Sequence, residues 1–152
     1  MPRTKQRITT MVRAACHCTN VRIEVAELPT WVLDCNCTLC RRYGAVWAYP
    51  AVGQVTVISA TDETETYVWL DGDLAFHRCK TCGCVMYMEA VKENPPLIYG
   101  INVRMIPTLD PASMRVRQKD NGHTGWFWTR SDAPPESSQH PKMDPPSTDD
   151  WR

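Results

Sequence analysis

Cys35, Cys37 and Cys40 form a Cys-x-Cys-x2-Cys triplet followed at once by Arg41, Arg42 and Tyr43. Three thiolates can hold a metal and leave its fourth coordination position for water or substrate, whereas structural zinc is closed by four protein ligands. Two further pairs, Cys16/Cys18 and Cys79/Cys82, together complete one closed four-sulfur site. Seven of the eight cysteines thus divide as four plus three. A disulfide framework is the competing account of an even cysteine number. Two features oppose it. Met1 to Met11 is basic and Thr-rich, without the apolar stretch of ~7–15 residues that marks a secretory signal. A bridge within Cys-x-Cys would also close a small, strained ring. Convergence on a metal suits the spacing better.

Cys84, the eighth cysteine, fits two accounts. It could join the triplet and close a second four-sulfur site, or stand as a free thiol at the start of its strand. The Cys-x2-Cys spacing of Cys79/Cys82 is the better metal knuckle and favours the free thiol. The histidines have no ligand spacing. His17 should point away from the metal held by its neighbours, and His77 is better read as an orienting partner of the cluster than as a ligand. His123 and His140 lie in Gly-rich and Pro-rich surroundings.

The elements that position these residues follow a period of two. Val21, Ile23 and Val25 alternate with Arg22, Glu24 and Ala26, and Val55 and Val57 flank Thr56. Thr9–Ala15, Trp31–Asp34, Ala45–Tyr49, Thr66–Leu70, Leu74–Arg78, Val85–Met88 and the apolar run Leu97–Met105 also read as strands. Gly53, Asp71-Gly72, Gly83 and Asn94-Pro95-Pro96 supply the turns. No stretch of 11 or more residues before Ser131 has a helical stripe. The expected class is mainly β, with antiparallel sheets. Cys16/Cys18 and Cys79/Cys82 then fall on two hairpin tips that one tetrahedral Zn²⁺ would staple. The triplet falls in a connecting segment, which predicts a partly solvated metal that leaves first under chelation.

The chain has 152 residues and a formal net charge of zero. That balance favours neither nucleic acid nor an anionic membrane as partner, and no apolar run nears the ~20 residues that span a bilayer. Residues 1–10 read as a short arm, 11–130 as one domain, and 131–152, rich in Pro, Ser and Asp, as a disordered tail. The expected location is cytoplasmic.

Four segments in order carry a family resemblance. They are Cys16-His17-Cys18 with Val21-Arg22-Ile23-Glu24-Val25; Cys35 to Ala45; Phe76 to Cys84; and Ile101-Asn102-Val103-Arg104. Over Met11 to Asp110 the chain resembles the glutathione-dependent formaldehyde-activating enzymes, whose domain is shared with centromere protein V. The resemblance implies a tent-like zinc fold and two Zn²⁺ per chain. Cys16, Cys18, Cys79 and Cys82 would hold the structural ion, and Cys35, Cys37 and Cys40 the catalytic one. It implies a carbon–sulfur lyase acting on S-(hydroxymethyl)glutathione, with glutathione or another small thiol as partner. Two positions depart from the pattern: Thr19 stands where glycine is common, and Met86-Tyr87-Met88 replaces a segment that often carries His and Trp.

Arg41 and Arg42 could offset the charge of three thiolates or hold a substrate carboxylate, although exposed arginines near a turn are more often solvated. Trp47, Tyr49 and Trp69 could line a pocket, although aromatic residues on strands are more often core. Two other classes compete with the enzyme. A non-catalytic interaction module would have two structural zincs, Cys84 closing the second. Association with nucleic acid or the cytoskeleton would need a basic extension, which the short arm and acidic tail do not supply.

Overall fold

The computed structural model describes residues 11–35, 37, 39–59, 62–69, 72–93, 96–109, 114–120 and 125–128. The arm 1–10, the tail 131–152, His123, His140 and the turn residues Asp71, Asn94 and Pro95 lie outside that set. Alternating apolar residues produce two sheets. In the smaller, β1 (Val12–Ala15), β2 (Arg22–Val25) and β5 (Val55–Val57) run antiparallel in the order β1-β2-β5. The larger sheet has eight strands. Its members are β3 (Trp31–Cys35), β4 (Trp47–Ala48), β6 (Thr64–Trp69), β7 (Leu74–Cys79), β8 (Val85–Ala90), β9 (Leu97–Asn102), β10 (Arg115–Asp120) and β11 (Gly125–Trp128). They are ordered β11-β10-β3-β4-β9-β8-β7-β6.

The mainly β, antiparallel expectation holds, with one parallel exception. Arg115↔Trp31 through Lys119↔Cys35 pair in the same direction. The expected strands are present with shifted ends. The segment 45–49 pairs only at Trp47–Ala48, and the run from Leu97 leaves the sheet at Asn102 for a 3-10 turn over Val103–Met105. The α-helix among the described residues, α1 (Cys40–Tyr43), is too short for a helical stripe and ends on Gly44 at φ 61°.

Period-two alternation sends neighbouring side chains to different cores. Val32 and Ala48 join a cluster with Val21, Ile23 and Val25 of the small sheet, so the two sheets pack there. Leu33 and Trp47 join a second cluster with Cys35, Cys37, Cys40, Phe76 and Met88. The triplet and the small sheet thus use opposite faces of β3 and β4. Trp47, Ile23, Met86 and Ile101 are fully buried, and each such burial contributes about 1.5–3 kcal/mol. Gly100 lies in close approach: a Cβ there would meet Met88 Cε and Tyr49 Cε1, both at 3.2 Å, and would push these side chains back by a few tenths of an ångström.

One polar side chain ties the triplet's face together. Asn102, buried at 2% exposure, accepts from Val46 N–H at 3.3 Å and Arg104 N–H at 3.2 Å, and donates to Val85 C=O at 2.9 Å. Asn102→Leu would strip partners from two buried backbone groups and one part-buried one, and a buried group left unpaired costs about 1–3 kcal/mol. The variant is expected to lose about 3 kcal/mol or more of stability. Thermal unfolding of the metal-loaded protein measures this, and an unchanged melting temperature would refute the role.

Candidate metal centres

The first cluster forms where the β1–β2 and β7–β8 connections meet. Cys16, Cys18, Cys79 and Cys82 place all four Sγ atoms within 4.8 Å of one another. Cys16 and Cys18 are 3.6 Å apart, and Cys18 and Cys79 are 3.5 Å apart. A disulfide needs an S–S separation of about 2.0 Å. Tetrahedral zinc with 2.3 Å Zn–S bonds puts sulfurs about 3.8 Å apart. The spacing therefore fits a shared cation.

The backbone is shaped for this arrangement. Val21 N–H donates to Cys16 Sγ at 3.3 Å, and Gly83, at φ 76°, turns the second knuckle so that its N–H reaches Cys79 C=O. Thr19 sits at φ 65° in the first knuckle. Glycine adopts that conformation freely, while a β-branched residue there costs about 1–2 kcal/mol. This is the physical content of the Thr19 departure. Burial opposes ionisation of Cys82, yet the Cys18 and Cys84 N–H groups, with the Cys84 and Cys79 thiols, bring it down to about 5.

The second cluster is the triplet. Cys35 ends β3, Cys37 follows it, and Cys40 opens α1. Their Sγ atoms lie within 4.8 Å of one another, and among the described residues no further His, Cys, Asp or Glu joins them. The α1 turn is closed by Arg41 N–H to Cys37 C=O at 3.2 Å, while Cys40 N–H reaches Cys37 Sγ at 3.4 Å. Hydrogen bonds from Cys35 and Cys40 hold the Cys37 thiol down at about 2 despite burial. Cys35, on the giving side of its bond to Cys37, is pushed up to about 11. Bonds to Cys35 and Cys37, and then burial, raise Cys40. The three sulfurs thus share one negative charge, on Cys37, with protons held by Cys35 and Cys40; a cation would hold all three as thiolates.

Burial corrects one expectation. The sequence predicts a partly solvated triplet in a loop, but Cys35, Cys37 and Cys40 are only 6%, 1% and 6% exposed. Cys18 and Cys82 of the four-cysteine cluster are half-buried. The reason is the second core: Leu33, Phe76, Val85 and Met88 pack against the triplet, with Trp31, Tyr43, Tyr49 and Trp69 half-buried around it. Exposure therefore gives no ground for the triplet to lose metal first.

The remaining candidates take definite places. Cys84 lies beside the four-cysteine cluster. The His17 N–H favours its thiolate, but burial and Cys82 outweigh that and raise the thiol. His17 itself is exposed. His77 Nδ1 is 3.3 Å from Thr64 Oγ1, its Nε2 is 3.6 Å from Glu89 Oε1, and its ring stacks on Tyr87 at 4.2 Å. Burial lowers its pKa, against the pull of Glu89. The partners of His77 are thus Thr64, Glu89 and Tyr87, not the cysteines that its place two residues before Cys79 suggests. Arg41 and Arg42 are exposed on α1, and Met86, Tyr87 and Met88 are all buried.

Trp47 is core, but its role is more specific than packing. It is fully buried, and its indole N–H donates to Cys40 Sγ at 3.3 Å. The sequence signal for this was weak: a tryptophan seven residues after a cysteine, on a strand, reads as packing.

The sequence model of the glutathione-dependent formaldehyde-activating enzymes matches residues 11–120, a span that holds both clusters. The chain belongs to this family. A solved structure is also similar, a Rhodobacter sphaeroides protein determined in a structural-genomics programme. It is 28% identical, with a TM-score of 0.55 over 66% of this chain and 92% of that one. No curated protein matches the chain. Among the described residues no helix is long and apolar enough to cross a membrane.

Proposed function

We propose that the protein is a zinc-dependent carbon–sulfur lyase that makes and breaks adducts of a small thiol with an aldehyde, S-(hydroxymethyl)glutathione being the first substrate to test. The observation that carries the reading is the triplet: three converging sulfurs with no fourth protein donor among the described residues. Cys84 lies at the other cluster, which weakens the alternative of two closed structural sites. Family membership supports the reaction class, although one fold hosts many activities.

In this reading Cys16, Cys18, Cys79 and Cys82 hold a structural zinc, and Cys35, Cys37 and Cys40 a second one. A metal bound at the triplet favours the thiolate form of a thiol and polarises an aldehyde oxygen. The reaction itself balances simply. The thiol sulfur bonds to the carbonyl carbon, the C=O π bond breaks, and the thiol proton ends on the new hydroxyl; cleavage is the reverse. The chain's residues set the conditions. Cys40 N–H and the Trp47 indole each take charge from a triplet sulfur. The surrounding apolar side chains exclude water and so strengthen electrostatic interactions near those sulfurs.

Exchange spectroscopy on glutathione and formaldehyde tests this. The protein at catalytic concentration is expected to accelerate interconversion in both directions without moving the equilibrium. Stoichiometric depletion of free thiol without turnover would identify a binding protein instead. An unchanged exchange rate would refute this substrate pair.

A further inference from the structure

We propose that Trp47 is a positioning residue for the three-cysteine centre, its indole N–H drawing negative charge from Cys40. This rests on reading the triplet as a metal centre.

A buried indole is a donor only and requires an acceptor. Trp47 is 0% exposed, and Cys40 Sγ lies 3.3 Å from its Nε1. The ring is constrained on several sides. Trp47 pairs with Leu33 on one flank and Asn102 on the other. The residue before it is fixed twice: Val46 N–H donates to Asn102 Oδ1 at 3.3 Å, and Val46 C=O accepts from Val103 N–H at 2.9 Å. Phe76 meets the indole edge-on, with centroids 5.9 Å apart and planes at 61°. The donor therefore remains aimed at the sulfur.

Charge gives the contact its consequence. Three thiolates around a divalent ion leave a formal charge of minus one. A sulfur that accepts a hydrogen bond donates less electron density to its metal, and bonds to charged acceptors are the stronger kind. Cys37 already accepts from the Cys40 N–H within the triplet. Trp47 supplies Cys40, at the start of α1, with a donor from β4, so the sheet itself tunes the centre. Asn102 contributes indirectly, by holding the backbone from which the indole projects.

Cadmium-113 NMR on the full-length, cadmium-loaded protein reads this directly, because four-sulfur and three-sulfur sites give separate resonances. The Trp47 indole proton is expected to show scalar coupling to the three-sulfur cadmium through the N–H···S bond. Replacing Trp47 with benzothienylalanine keeps the ring shape and removes the N–H. That variant should shift the three-sulfur resonance beyond its line width and leave the four-sulfur resonance in place. Trp47→Phe should shift it in the same direction. A three-sulfur resonance unmoved by benzothienylalanine overturns the role of Trp47 and leaves the metal centre standing. A wild-type spectrum with only a four-sulfur resonance overturns the metal centre, and this inference with it.

Discussion

Replacing Cys79 by serine is expected to leave a chain that loses the four-cysteine metal and fails to hold its β structure. Cys79 ends β7 and is 1% exposed, and its sulfur lies 3.5 Å from Cys18 across 61 residues. The cluster joins the small sheet to the large one at that point. Structural zinc in small domains contributes about 10–16 kcal/mol of apparent binding free energy at neutral pH. Whole domains are stable by only about 5–15 kcal/mol, so a weakened site can remove the entire margin. Metal counting and far-ultraviolet circular dichroism on purified Cys79→Ser check this. A folded variant with its full metal complement would contradict the structural assignment.

The cysteine division could be read from spacing because ligand geometry is local: Cys-x-Cys and Cys-x2-Cys bring sulfurs together whatever surrounds them. The strands of the small sheet were equally legible, since Val21, Ile23 and Val25 face one core. Strands β10 and β11 went unread. Arg115–Asp120 contains Val116 as its one aliphatic residue, so alternation gives no signal, and its parallel pairing with β3 comes from a remote segment. The burial of the triplet was also illegible. It depends on Phe76, Val85 and Met88 arriving from strands far along the chain. Asn102 stood within a quoted motif, but its three bonds become visible only when β8, β9 and residue 46 are adjacent.

Replacing Cys37 by serine is expected to separate activity from fold. Cys37 has no strand of its own to terminate, and it lies at the centre of the triplet's hydrogen bonding, receiving from Cys40 N–H and from the Cys35 and Cys40 thiols. Serine keeps nearly the same volume but offers a poorer ligand and holds its proton. Metal content should fall from two per chain to one, and thiol–aldehyde exchange to the spontaneous rate. The β signal should persist, because the four-cysteine cluster and the contact between the sheets are untouched. Retained turnover in a one-metal variant would remove the triplet from the chemistry.

The interleaving of the two clusters has a consequence for how the protein is made. At about 5–20 residues per second, the 61 residues from Thr19 through Cys79 emerge from a ribosome over roughly 3–12 s. Within that interval the triplet Cys35, Cys37 and Cys40 is completed, while Cys16 and Cys18 still lack Cys79 and Cys82. Closing the shorter loop from Cys18 to Cys35 costs less chain entropy than waiting for Cys79. In the two-zinc reading, a metal ion that arrives then meets either the finished triplet or a mixed set in which Cys16 and Cys18 borrow its sulfurs. From the mixed set, the native pairing requires sulfurs to be exchanged on an ion already held. On that reading, metal supplied after chain release is expected to give the native pairing more often than metal supplied during synthesis.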